Sequence, residues 1–126
     1  MDAAEFAARL AALSRTDICE IAKAIQHQLG TAEGEVSWWK ATIAIDASLK
    51  RQRHSRVAGR AAWIAAHSIQ DAAEREGLLP AEKDLVTLVA RAASDVARGI
   101  VAGGPAAVQL ASLLHVWRPV ILPAVA

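Results

Sequence analysis

Two side chains capable of acid–base and charge-stabilising chemistry, Arg60 and His67, lie seven residues apart in a stretch with helical periodicity. Seven residues make about two turns of an α-helix, so both side chains are expected on one face, with Asp71 one turn beyond. A histidine can relay a proton, and an arginine can stabilise negative charge on a reacting group. Arg60 and His67 are therefore the candidate catalytic residues. The alternative is an exposed His67–Asp71 pair without a catalytic role.

The arginine–six residues–histidine spacing of Arg60 and His67 resembles that of the HEPN ribonucleases, which are helical bundles of similar size. In that family, dimerisation brings two such motifs together over RNA. The resemblance implies metal-independent RNA cleavage, in which His67 relays the proton of the attacking 2′-hydroxyl and Arg60 stabilises the developing phosphate charge.

A second group of polar residues falls on a mostly apolar helical arc, where polar groups need partners or a water-lined pocket. One interpretation pairs Asp46 with Lys50, one turn later, while the basic side chains reach outward. The other interpretation is a small-ligand pocket near Asp46. Its candidate residues are Trp38, Trp39, Thr42, Asp46 and Arg53.

A basic cluster at a predicted helix junction could bind phosphate groups or an acidic partner, or could be a solvated turn. It contains Lys50, Arg51, Arg53, His54, Arg56 and Arg60. The formal net charge of the chain is only +1, so nucleic acid is not the expected partner. The four histidines and the lone Cys19 are scattered, and we predict no metal site and no cofactor.

The composition predicts an all-α protein. Alanine makes up roughly a quarter of the chain, tyrosine is absent and phenylalanine occurs once. Alanine loses no side-chain entropy in a helix, and sheets favour the residues that are scarce here. We therefore predict one domain spanning residues 1–126, a compact, alanine-rich bundle of four to six helices with a core like that of a four-helix bundle.

Turn residues predict where the helices begin and end. Asp2 is a candidate cap for a first helix that ends near Leu13, and Ser14 or Thr16 for a second that Gly30 ends. These two segments could also be one kinked helix. A shift in the phase of the apolar positions predicts a break at residues 54–55, with Ser55 as the new cap. The other predicted helices span residues 31–53, 56–76, 81–102 and 105–117.

The helix predicted at 81–102 is apolar around most of its circumference, which is typical of a helix at the centre of its bundle or of one covered by a partner. Trp63 and Ile64 are different, because they fall toward the polar side of their helix, near Arg60 and His67. Either another helix of the same chain covers them, or they form a subunit interface, where tryptophan beside arginine is favoured.

The leading functional hypothesis is a non-enzymatic bundle that acts through self-association, as a homodimer, or through contact with another protein. Trp63 and Ile64 are the interface candidates. A secretory signal begins with positively charged residues, but this chain has the acidic Asp2 and Glu5 there. No apolar run approaches the ~20 residues that a helix needs to cross a bilayer. We therefore expect a cytoplasmic protein with no membrane contact.

Overall fold

Helices account for nearly all of the chain that the computed structural model describes, namely residues 2–30, 39–40, 42–43, 46–47, 49–51 and 55–102. The helices are α1 (Ala3–Ala11), α2 (Arg15–Leu29), α3 (Ser55–Arg75) and α4 (Lys83–Ala102). The described residues between 39 and 51 are also helical and are called the 39–51 segment. These described parts contain five helices and no strand, so the predicted alanine-rich, all-α bundle is confirmed. The helix predicted at 105–117 lies outside the described residues.

Each of the first two helices begins with a side-chain cap. The Asp2 carboxylate accepts a hydrogen bond from the Glu5 amide at 2.8 Å, as predicted. At the start of α2 the Asp17 amide donates to the Ser14 hydroxyl at 3.1 Å, and the Ser14 amide donates to the Asp17 carboxylate at 3.4 Å. This reciprocal arrangement identifies Ser14, and not Thr16, as the cap. The two segments are therefore separate helices.

The end of α3 is fixed by a glycine in the left-handed conformation. Gly77 has a φ of 73°. Its amide donates to the carbonyl of Glu74 at 3.2 Å, and the Leu78 amide donates to the carbonyl of Ala73 at 2.8 Å. These two bonds form a Schellman motif, and the side chain of Leu78 is fully buried behind it. The predicted stop at Gly77 is confirmed.

Gly77→Ala is expected to lower the free energy of unfolding by about 1–2 kcal/mol, because a Cβ is disfavoured at positive φ. Gly59→Ala is the matched control. Gly59 lies inside α3, and an added Cβ there would meet nothing within 4 Å. Removing a helical glycine stabilises by about 0.5–1 kcal/mol. Urea unfolding should therefore give opposite signs for the two variants, and equal signs would contradict this account of the turn.

Helix α4 begins at Lys83, two residues later than the predicted 81–102 helix. Residues 79–82 form turns, in which the Lys83 amide donates to the Pro80 carbonyl at 3.2 Å and the Glu82 amide donates to the Leu78 carbonyl at 2.8 Å. Pro80 thus lies before the helix. The predicted start was two residues too early, because the turn that follows the buried Leu78 extends to residue 82.

Helix α4 packs mainly against α3 and also contacts α2 and α1. Helix α3 likewise contacts the other three helices. Where α3 and α4 contribute buried residues, most are alanine, which lets helix axes approach closely. The larger core side chains come mainly from the first two helices: Phe6, Leu10, Ile18, Ile21 and Ile25. No described helix is long and apolar enough to cross a bilayer.

Candidate functional site

The buried side of helix α3 carries mainly alanine, and its exposed side carries most of the larger side chains. Ala58, Ala65, Ile69 and Ala72 are buried on the inner side. The opposite side is called the α3 outer face. It consists of exposed residues that helical periodicity places on one side of the helix. They are Arg56, Val57, Arg60, Trp63, Ile64, His67, Asp71 and Glu74.

The middle of the α3 outer face is apolar. Trp63 is 63% exposed, Val57 is 60% exposed and Ile64 is 36% exposed. The described helices therefore leave most of the Trp63 indole exposed to water, whereas the helix predicted at 105–117 lies outside the described residues. Trp63 and Ile64 are adjacent, and Val57 lies nearly two turns toward the start of the helix, so exposed apolar side chains recur along this face, as on interaction surfaces.

Trp63 has one close aromatic neighbour on its own helix. The ring centroids of Trp63 and His67 lie 4.0 Å apart, with the planes tilted by 44°. The two residues are four positions apart, so the helix itself sets this contact. The sequence analysis considered Asp71 as the companion of His67 and missed Trp63, although the same helical spacing predicts both.

Both candidate catalytic residues are exposed on the α3 outer face. Arg60 and His67 are separated by two helical turns, a rise of about 10.5 Å along the axis, and Trp63 lies between them. The guanidinium and the imidazole are accessible to a ligand from solvent. The helix thus brings the predicted pair together on one surface.

A charge cluster that is buried at Asp95 and half-exposed at Asp46 links the 39–51 segment to α4. The Arg98 guanidinium pairs with the Asp46 carboxylate and lies 3.8 Å from the Asp95 carboxylate. Asp95 is only 7% exposed. Burial lowers the pKa of Arg98 below its ordinary value, but an arginine in such surroundings stays protonated. Arg98 therefore neutralises a buried acid and holds the 39–51 segment against α4.

This cluster changes the interpretation of Asp46. The structure favours a paired carboxylate, but the partner is Arg98 on another helix, while the predicted partner Lys50 is exposed. The sequence analysis missed Asp95 and Arg98 as a site. Their spacing of three within the most apolar helix was the available signal.

No family model, curated protein or solved structure matches this chain.

The remaining pocket candidates lie partly on the surface. Trp39 is 65% exposed, so its indole does not line an enclosed cavity, and Thr42 is partly buried. Trp38 and Arg53 lie outside the described residues. The structure thus gives Asp46 an ionic partner. The large apolar side chains that are exposed in the described residues are Trp39 and Ile43 on the 39–51 segment and those of the α3 outer face.

The basic cluster is solvent-facing where it is described. Lys50, Arg51, Arg56 and Arg60 are exposed, while Arg53 and His54 lie outside the described residues. Over the described ranges, no three histidine, cysteine, aspartate or glutamate side chains are grouped so that they could hold a metal ion.

Proposed function

We propose that this chain is a non-enzymatic helical module that acts through self-association or contact with another protein, with the α3 outer face as its binding surface. The observation that carries this proposal is the exposure of Trp63 beside Ile64 and Val57. Transferring apolar surface from water gains about 25 cal/mol for each Å², so this patch has a driving force to be covered.

The composition of the α3 outer face also supports a protein-binding role. Tryptophan and arginine are the residues most often found at the energetic centres of interfaces, and Trp63 is flanked by Arg60. A formal net charge of +1 creates little repulsion between two copies of the chain. Self-association is therefore the first form of the proposal to test.

Sedimentation velocity of the full chain tests it, over about 1 to 100 µM, the range in which interfaces of modest size form. We expect the weight-average sedimentation coefficient to rise with concentration toward that of a dimer. A compact monomer with an unchanged coefficient across the whole range would contradict self-association.

A second candidate function is metal-independent cleavage of RNA, and the exposure of both Arg60 and His67 on one face is the observation that favours it. If it is correct, purified protein cleaves RNA in the presence of a chelator, and His67→Ala lowers the rate by about 10²–10⁴-fold, the usual contribution of a general acid or base. Asp84→Ala, at an exposed residue of α4, is the control and should keep full activity. The same residual signal in wild type and His67→Ala would eliminate this function.

A further inference from the structure

The charges on the α3 outer face are separated along the helix. Arg56 and Arg60 lie in its first two turns, while Asp71 and Glu74 lie in its last two turns. Arg75 also lies in the last turn, but its guanidinium donates to the carbonyls of Ala11 and Leu13, at the end of α1 and just after it. The exposed apolar side chains of Trp63 and Ile64 lie between the two charged ends, and Val57 lies in the first turn. The face is therefore basic at one end, apolar in the middle and acidic at the other end. When a second copy lies antiparallel to the first, each basic end meets an acidic end.

We propose that two copies of this chain associate through their α3 outer faces, with the two α3 helices antiparallel about a twofold axis between residues 65 and 66. This inference rests on the proposed function and names its occupant, a second copy of the chain. In this register Arg60 faces Asp71 of the partner subunit and Ile64 faces His67 of the partner subunit. An interface with such twofold symmetry is isologous, so every pair occurs twice.

Electrostatics favours the antiparallel arrangement over the parallel one. In a parallel pair, Arg56 and Arg60 would face the same two arginines of the other copy, and the acidic ends would also meet. Like charges opposed at an interface weaken association. Antiparallel helices also place each positive N-terminal end beside a negative C-terminal end. Opposite charges thus favour the antiparallel direction, and the pairing of Arg60 with Asp71 defines the proposed register.

The size of the interface sets the expected affinity. A helix of 21 residues is about 31 Å long, and the proposed interface is confined to this single helix on each copy. A standard stable interface covers about 800 Å² on each partner. We therefore expect a dissociation constant in the micromolar range, so experiments need concentrations on both sides of it.

A charge swap tests the register. Arg60→Glu places two acidic side chains opposite each other at both symmetric positions, and Asp71→Arg likewise opposes two basic ones. Each single variant is expected to weaken dimerisation about tenfold, and the combined variant Arg60→Glu/Asp71→Arg to restore it to within about threefold of wild type. Sedimentation equilibrium of the full chain measures all four proteins.

Crosslinking tests the direction, in a Cys19→Ala background that removes the native thiol. In the antiparallel pair the two copies of residue 67 are offset along the axis by about 4.5 Å, and the two copies of residue 57 by about 25 Å. A short bifunctional thiol reagent should therefore link His67→Cys dimers and not Val57→Cys dimers. In a parallel pair it would link both.

The outcomes separate this inference from the proposed function. Tenfold weakening by both single variants, rescue by the swap and selective linking at position 67 support it. Association that is insensitive to the swap, or linking at position 57 equal to that at position 67, overturns the antiparallel pair while self-association stands. A wild-type chain that is monomeric at about 100 µM overturns both.

Discussion

Trp63→Ala is expected to weaken self-association about a hundredfold. The indole is 63% exposed in the single chain, and the proposed interface buries it twice, once for each copy. Truncation of a central tryptophan commonly costs 2 kcal/mol or more in binding, and roughly 1.4 kcal/mol is a factor of ten in affinity. Sedimentation equilibrium of the full chain gives the dissociation constants.

Trp39→Ala is the matched control for this variant. Trp39 is 65% exposed, nearly the same fraction as Trp63, but it lies on the 39–51 segment and not on the α3 outer face. We expect its dissociation constant to stay within about twofold of wild type, since surface changes away from an interface have small effects. Equal weakening by both variants would contradict the assignment of the interface to α3.

Arg98→Ala is expected to lower the free energy of unfolding by about 2 kcal/mol. The substitution removes the guanidinium that lies next to the carboxylates of Asp95, which is 7% exposed, and Asp46. Breaking a fully buried ion pair costs about 3–5 kcal/mol; the smaller figure allows for the side chain of Asp46, which is 49% exposed. Urea unfolding at a fixed protein concentration measures the change, because association would otherwise contribute.

Two further variants make this test specific to the charge cluster. Arg51→Ala removes an exposed arginine of the 39–51 segment and should change the unfolding free energy by less than about 0.5 kcal/mol. Adding Asp95→Asn to Arg98→Ala removes the buried carboxylate charge next to the lost guanidinium and should recover part of the loss. If Arg98→Ala is as stable as Arg51→Ala, the cluster does not hold the 39–51 segment in place.

Features that depend on a few neighbouring residues could be predicted from the sequence. Asp2 caps α1 because its acceptor reaches an amide only three residues away. Gly77 ends α3 because it alone is free to adopt positive φ at that point. The start of α3 at Ser55 lies within one residue of the predicted start. The exposure of Trp63 followed from helical phase, which places it on the side opposite Ala65 and Ala72.

Features that depend on the register between helices could not be predicted. Asp46 and Arg98 are 52 positions apart, and their contact follows from how the 39–51 segment is aligned on α4. Periodicity predicts which face of a helix is buried, but it does not predict the register of one helix against another. The sequence therefore predicts the nearby Lys50 as the partner of Asp46. The predicted start of α4 was wrong for a related reason, because the burial of Leu78 in the core determines where the turn before the helix ends.

Hydroxyl-radical footprinting of the wild-type chain tests most directly whether the α3 outer face is the interaction surface. Trp63 and Trp39 start from nearly equal exposure, so Trp39 is an internal reference for radical dose. Between about 1 and 100 µM protein, we predict that oxidation of Trp63 falls several-fold relative to Trp39, because association covers only the former. A ratio of Trp63 to Trp39 oxidation that stays constant over this range would contradict the account.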